Sequence, residues 1–240
     1  MILCIDAGNS MVKWGVAEND NWLAQGKVAH ADIPRLAERW QQYGVPQRIV
    51  IANVAGEKVR SALNVLFMRW RITPTWIAAT ASQCGVRNGY AQPAQLGSDR
   101  WAALIAARAA TDGACVVVGV GTAVTIDALN SSGEFIGGVI VPGLQIMQEA
   151  LLRKIPQLNH NNGTFEIFAT NTANAIVTGT TLALAGAVDL MRAALRQTAQ
   201  APVACMASGG GVEALREVLP ADTQFADNLV LEGLLRIARA

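Results

Sequence analysis

The 240-residue sequence has little charge and no concentration of either sign: 15% of residues are charged and the formal net charge is +1. No basic run is present, which excludes a nucleic-acid footprint, because that needs clustered Lys and Arg against phosphates. Cysteine is sparse. Cys4, Cys84, Cys115 and Cys205 form no CxxC-type pair, and Cys4 and Cys115 lie inside apolar runs and read as buried thiols. No stretch reaches about 18 uninterrupted apolar residues, and Asp6 interrupts the first apolar run, which has no basic residues before it. The expectation is a soluble, cytoplasmic protein that engages neither membrane nor nucleic acid. The two histidines carry no pattern. His30 ends a strand and His160 sits in a polar loop, and both read as exposed rather than catalytic.

What is abundant is apolar. Hydrophobic residues make up 52% of the chain, enough for a substantial core. Strands are expected at 2–6, 12–17 and 22–30, and again in "RIVIANV" and "TPTWIAA". Apolar residues at helical spacing mark "ADIPRLAERWQQYG", "EKVRSALNVLFMRW", "RWAALIAARAAT" and "LQIMQEALLRK", and a long apolar helix is expected from about 172 to 197. A strand–turn–strand–turn–strand plan opens the chain and recurs from residue 114, with "DAGNS" and "GVGTA" at equivalent turns. This suggests a duplicated β-β-β-α-β-α unit and two domains, 1–112 and 113–240.

The first turn joins a carboxylate, a glycine and two hydrogen-bonding side chains, with a lysine shortly after: Asp6, Gly8, Asn9, Ser10 and Lys13. Glycine admits close backbone approach, exposed turn N–H groups bind anions, and lysine brings a point charge to phosphate. Asp6 fits such a site if a divalent cation such as Mg²⁺ lies between carboxylate and phosphate. An ordinary hairpin turn whose polar groups satisfy the local backbone is the alternative. Gly121-Thr122, with Thr125, would be the matching turn of the second half, and "SGGG" at 208–211 would lie beneath an adenosine or be a plain turn. Two such turns gripping one nucleotide are the plan of the actin-like sugar-kinase and heat-shock ATPase superfamily.

A third element, "GYAQPAQLGSDRWAALIAA", sets Tyr90 and Gly97 before Asp99-Arg100 at a helix start. Asp99 could be a plain N-cap. Arg100 is disfavoured beside a helix N-terminus but suits a carboxylate-bearing substrate, and Asp99 would then face the hydroxyl that attacks ATP.

Together "DAGNSMVKWG", "LGSDRWAALIAA", "GTAVTID", "GGVIVPG" and "TNTANAIVTG" resemble a type III pantothenate kinase, over Met1 to about Gly233 and in family order. The resemblance implies an α/β fold of two actin-like domains, ATP-dependent phosphorylation of pantothenate, and a homodimer with the site near the subunit interface. It implies that ATP is held by Asp6, Ala7, Gly8, Asn9, Ser10, Met11, Val12, Lys13, Gly121 and Thr122. Pantothenate would be held by Tyr90, Gly97, Ser98, Asp99 and Arg100, with Asp99 as base and Thr172 reaching the partner's substrate. One position departs: the family carries an aspartate two residues before Gly121 that helps hold a monovalent cation such as K⁺ or NH₄⁺, and here that residue is Gly119. The rival expectations are a nucleotide-binding regulatory accessory protein of the same fold without useful turnover, an actin-like assembly protein, and a kinase for another hydroxy-acid or sugar.

Overall fold

The computed structural model describes residues 1–19, 21–155 and 163–240; His160 lies outside them. The chain divides into two units, one of residues Met1–Ala110 with Asn228–Ala240, the other of Thr111–Asp227.

In the first unit β1 (Ile2–Ala7), β2 (Met11–Glu18) and β3 (Asn21–Ala29) form an antiparallel meander. A 3₁₀ turn over His30–Arg35 leads into α1 (Leu36–Gln41). The sequence periodicity predicts one helix here. Pro34 lacks an N–H and forces a tighter start, yet Ile33, Leu36 and Trp40 still point into one core, as their spacing requires. β4 (Arg48–Asn53) pairs parallel to β1, and α2 (Glu57–Phe67) leads on to β5 (Thr75–Trp76). The sheet order is β3-β2-β1-β4-β5. A small hairpin, β6 (Ser82–Gln83) and β7 (Val86–Asn88), precedes α3 (Ser98–Ala110).

Strand alternation assigns the faces. Leu3, Ile5, Ile49 and Ile51 pack with α1 and α2, while Cys4, Val50 and Ala52 pack on the opposite face with Ala102 of α3. Asp6 follows Cys4 on that second face.

The second unit repeats the plan. β8 (Ala114–Val120), β9 (Ala123–Leu129) and β10 (Glu134–Pro142) form its meander, followed by α4 (Leu144–Lys154) and α5 (Thr172–Ala199). β11 (Val203–Ser208) pairs parallel to β8, and β12 (Gln224–Ala226) parallel to β11. The order β10-β9-β8-β11-β12 matches that of the first unit strand for strand. α5 is long and apolar enough to cross a membrane, but Leu184, Val188 and Leu195 pack against this sheet. Its Arg192 is buried, donates to the Val203 carbonyl at 2.8 Å, and forms a two-pronged ion pair with Asp222 that holds the Asp222 carboxyl below its ordinary range.

α6 (Leu229–Arg239) departs from the expected division of the chain, which places all of 113–240 in one domain. It belongs to the first unit, where Leu231, Leu234, Leu235 and Ala238 pack with Cys4, Val50, Ala52 and Ala102. An amphipathic helix must cover its apolar stripe, and this sheet face offers the cover. Burial there pushes the Cys4 thiol up to about 12, as expected of an inert core cysteine.

The contact between α6 and α3 is close. A Cβ added at Gly233 would lie 1.8 Å from the Ala102 carbonyl oxygen. Gly233→Ala is expected to destabilise the protein by about 1–3 kcal/mol through overpacking, read from the urea midpoint. An unchanged midpoint would mean that the helices separate freely.

Candidate active site

The site in the first unit is built on β1, the turn after it, and the start of α3. Asp6 is the sixth residue of the chain and 7% exposed. Its cross-strand partner on β2 is Lys13, so the two side chains share one face of the sheet. α3 brings a second carboxylate to the same place. Ala102 packs on this face, and Asp99, three residues earlier, lies one turn towards the helix N-terminus on the same side. Burial raises the Asp6 carboxyl from 3.8 to about 6. The Lys13 charge opposes this rise and the Asp99 charge adds to it.

Asp99 is not an N-cap. It lies inside the first turn of α3, and its carboxylate accepts the Arg100 N–H at 2.8 Å. The neighbouring hydroxyl fastens the helix to the sheet: Ser98 Oγ accepts the Asn53 N–H at 3.1 Å, where β4 ends. Asn53 also shapes the loop that follows, donating to the Gly56 carbonyl and accepting from the Ala55 N–H. Gly97 leaves room for the carboxylate, since a Cβ there would lie 2.6 Å from Asp99 Oδ1. Arg100 is buried and donates to the Tyr90 hydroxyl at 3.2 Å, with its guanidinium 5.9 Å from the centre of the Tyr90 ring. Tyr90 is positioned in turn by its N–H, which donates to Asn88 Oδ1. The structure therefore gathers Tyr90, Gly97, Ser98, Asp99 and Arg100 around one helix start.

The turn between β1 and β2 closes with the Gly8 N–H donating to the Met11 carbonyl at 3.1 Å, and Asn9 and Ser10 are exposed at its tip. Gly8 is not forced to be glycine by its backbone or its neighbours. It has no positive φ, and a Cβ there would meet the Met11 oxygen at 3.5 Å, an ordinary contact. Gly121, in the second unit, is alike: its N–H donates to the Ala123 carbonyl at 3.0 Å, and its added Cβ would meet that oxygen at 3.5 Å. Glycine that the fold does not require leaves room for a ligand at the backbone.

The second unit protects its own turn. The Gly143 N–H donates to the Thr122 carbonyl at 2.9 Å, and a Cβ at Gly143 would strike the Gly121 and Thr122 oxygens. Gly209, at φ +121, packs its backbone against Val120, so the "SGGG" segment seats on the end of β8. Thr172 begins α5. The N-cap is Asn171, whose side chain accepts the Asn174 N–H, so the Thr172 hydroxyl is not the cap. His30, expected to be exposed, is half-buried, and its Nε2 lies 2.8 Å from the Gly8 carbonyl oxygen. Its role and that of Asn53 are not visible in local sequence pattern, because both depend on contacts between separate elements.

Asp6 ties stability to pH. Its folded value lies above its ordinary one, so between about 3.8 and 6 the folded state keeps a proton that the unfolded chain has released. Stability from this group is full below that window and is lost as pH rises through it. Asp6→Asn is therefore expected to stabilise the ligand-free protein at pH 8, by on the order of 1–3 kcal/mol, and to have little effect at pH 4. Urea unfolding at the two pH values tests this, and a less stable variant at pH 8 would refute it.

A type III pantothenate kinase family model matches residues 2–194. Type III pantothenate kinases of Nitrosospira multiformis and Aromatoleum aromaticum are each 45% identical to this chain over its full length, across 91% and 98% of their own lengths. A conserved Baf family protein from Campylobacter jejuni shares the fold at a TM-score of 0.62 and 21% identity, covering 99% of this chain and 97% of its own. The ethanolamine utilization protein EutJ from Carboxydothermus hydrogenoformans does so at 0.55 and 12%, covering 98% and 88%. The fold is that of the actin-like ATPases and sugar kinases, and with the family model matching most of its length the chain belongs to the type III pantothenate kinase family.

Proposed function

We propose that the protein phosphorylates pantothenate to 4'-phosphopantothenate at the expense of ATP, the first step of coenzyme A biosynthesis, and that it acts in the cytoplasm. The observation that carries the reading is the placing of buried Asp6 and of Asp99 on one side of the first sheet, within electrostatic reach of each other, beside a turn whose glycine the fold does not need.

The β1–β2 turn, from Asp6 through Ala7, Gly8, Asn9, Ser10, Met11 and Val12 to Lys13, binds the ATP phosphates through its N–H groups and the Lys13 ammonium. Gly121 and Thr122 supply a further set of phosphate donors. Asp6 would hold Mg²⁺, directly or through water. The fit is good, because a buried carboxylate raised by burial and a second negative charge is relieved by a cation. When bound, Mg²⁺ neutralises phosphate charge.

Asp99 orients the primary hydroxyl of pantothenate for in-line attack on the γ-phosphorus and accepts its proton as the bond forms. Phosphoryl transfer depends mostly on positioning and charge neutralisation. Arg100 and Tyr90 bind the pantothenate carboxylate, with Gly97 and Ser98 shaping the pocket at the helix start. The protein acts as a homodimer in which Thr172 reaches the partner's pantothenate. In support, a groove of about 770 Å³ runs between α4 and α5, lined by Ile146, Met147, Leu151, Thr172, Ile176 and Thr180 among others. Ile167 and Phe168 stand exposed just before α5.

Monovalent-cation use is weak. Gly119 carries no carboxylate, and a Cβ there would lie 2.8 Å from Thr125 Oγ1 on the neighbouring strand. The rate is expected to respond little to K⁺ or NH₄⁺; saturable activation at low millimolar salt would overturn this.

Incubation of the pure protein with ATP, Mg²⁺ and pantothenate, followed by mass spectrometry, tests the activity. Phosphopantothenate is expected. ATP binding without product across a range of monovalent salts would instead identify a nucleotide-binding accessory protein. Asp99→Asn is expected to lower kcat by about 10²-fold or more with ATP binding nearly unchanged, and a near wild-type kcat would remove Asp99 from the mechanism.

A further inference from the structure

His30 stands immediately after β3, whose last pairing with β2 sets Ala29 opposite Met11. That register delivers the imidazole to the β1–β2 turn, where Nε2 lies 2.8 Å from the Gly8 carbonyl oxygen. The acceptor is a carbonyl, so the ring nitrogen is the donor.

The Gly8 residue is thus held at both of its backbone polar groups. Its N–H donates to the Met11 carbonyl at 3.1 Å and its C=O accepts from His30. The chain contains no cis peptide among its described residues, and in a trans peptide the C=O and the following N–H point in opposite directions. Holding the Gly8 oxygen on the imidazole side therefore turns the Asn9 N–H to the other side. Asn9 is exposed, and its N–H has no acceptor among the described residues. Glycine lets the Gly8–Asn9 peptide plane rotate at little cost. Unheld, the plane can present its carbonyl oxygen where an anion is to bind, and an oxygen there repels phosphate.

We propose that His30 is a positioning residue for the phosphate-binding turn: by holding the Gly8 carbonyl it fixes the Gly8–Asn9 peptide with the Asn9 N–H presented to a phosphate oxygen of the nucleotide. This rests on the reading of the β1–β2 turn as a nucleotide phosphate site. In this proposal His30 acts through the turn, by way of its bond to the Gly8 carbonyl.

The test uses the full chain and ATP itself. His30→Phe fills the space without a donor, and His30→Asn is too short to reach the carbonyl. His30→Gln keeps an amide donor at similar reach. The KM for ATP is expected to rise about fivefold in the Phe and Asn variants, as for one lost hydrogen bond, with the KM for pantothenate within twofold of wild type. Gln is expected to restore most of the ATP affinity. Melting temperatures separate this from loss of folding, because a purely structural tether would lower stability and leave the KM for ATP unchanged. An unchanged KM for ATP in both the Phe and Asn variants, a rise shared equally by the two substrates, or failure of Gln to rescue would overturn the proposal. Lys13→Ala separates failure of the proposal from failure of the reading beneath it. If Lys13→Ala weakens ATP while the His30 variants do not, the turn is a phosphate site without the histidine clamp. If neither Lys13→Ala nor the His30 variants weaken ATP, the turn does not hold the phosphates, and both ideas fall.

Discussion

A carboxylate held out of water at the end of β1 is the constraint on which the first unit depends. Asp6 is there because β1 alternates: Leu3 and Ile5 face the α1–α2 core, while Cys4 and Asp6 face α3 and α6. Burial alone would favour its neutral form. Lys13 across the ladder offsets only part of that burial cost, and the charge of Asp99 on α3 adds a smaller rise. A fold selected for stability alone would not gather two carboxylates here. The arrangement lowers stability in the ligand-free state, as groups kept for function rather than for folding commonly do.

The neighbouring elements serve this arrangement by fixing backbone. Ser98 ties the start of α3 to the end of β4 through the Asn53 N–H. Gly97 leaves the space that the Asp99 carboxylate fills, and Gly233 lets α6 lie against α3 at Ala102. Arg100 and Tyr90 hold each other rather than reaching for solvent. Such a site is preorganised: its donors and acceptors are positioned by short links to strands and helices, so little ordering remains when a ligand arrives.

The two units show how one plan tolerates different uses. Their sheets have the same strand order and the same mixture of antiparallel and parallel pairs. Each meander has a glycine at its first turn that closes on a nearby carbonyl. The first turn carries Asp6 behind it and Lys13 after it. The second has Gly119 and Thr125 at the corresponding places, paired across β8 and β9.

Much of this was legible in sequence. Period-two and period-3.6 apolar patterns marked most strands and helices, because burial on one face imposes them whatever the surroundings. The turn at Asp6–Lys13 and the helix start at Asp99 stood out because local chemistry, glycine beside charge, is written in adjacent residues. The recurrence after residue 114 was legible as a pattern of elements with little residue identity. Other features were decided by tertiary structure. The pattern of α6 shows a helix but not which sheet it covers, and only the packing of Leu231, Leu234 and Leu235 against Cys4 and Val50 assigns it to the first unit. His30 looked like the end of a strand because nothing adjacent to it signals a role. Its partner is 22 residues away, and only the register of β2 with β3 brings the two together. Asp6 and Asp99 were each readable as charged residues at a turn and a helix start. That burial raises Asp6, and that Asp99 lies near enough to add to the rise, follows from the sheet face and helix turn on which they stand, which a linear pattern does not record.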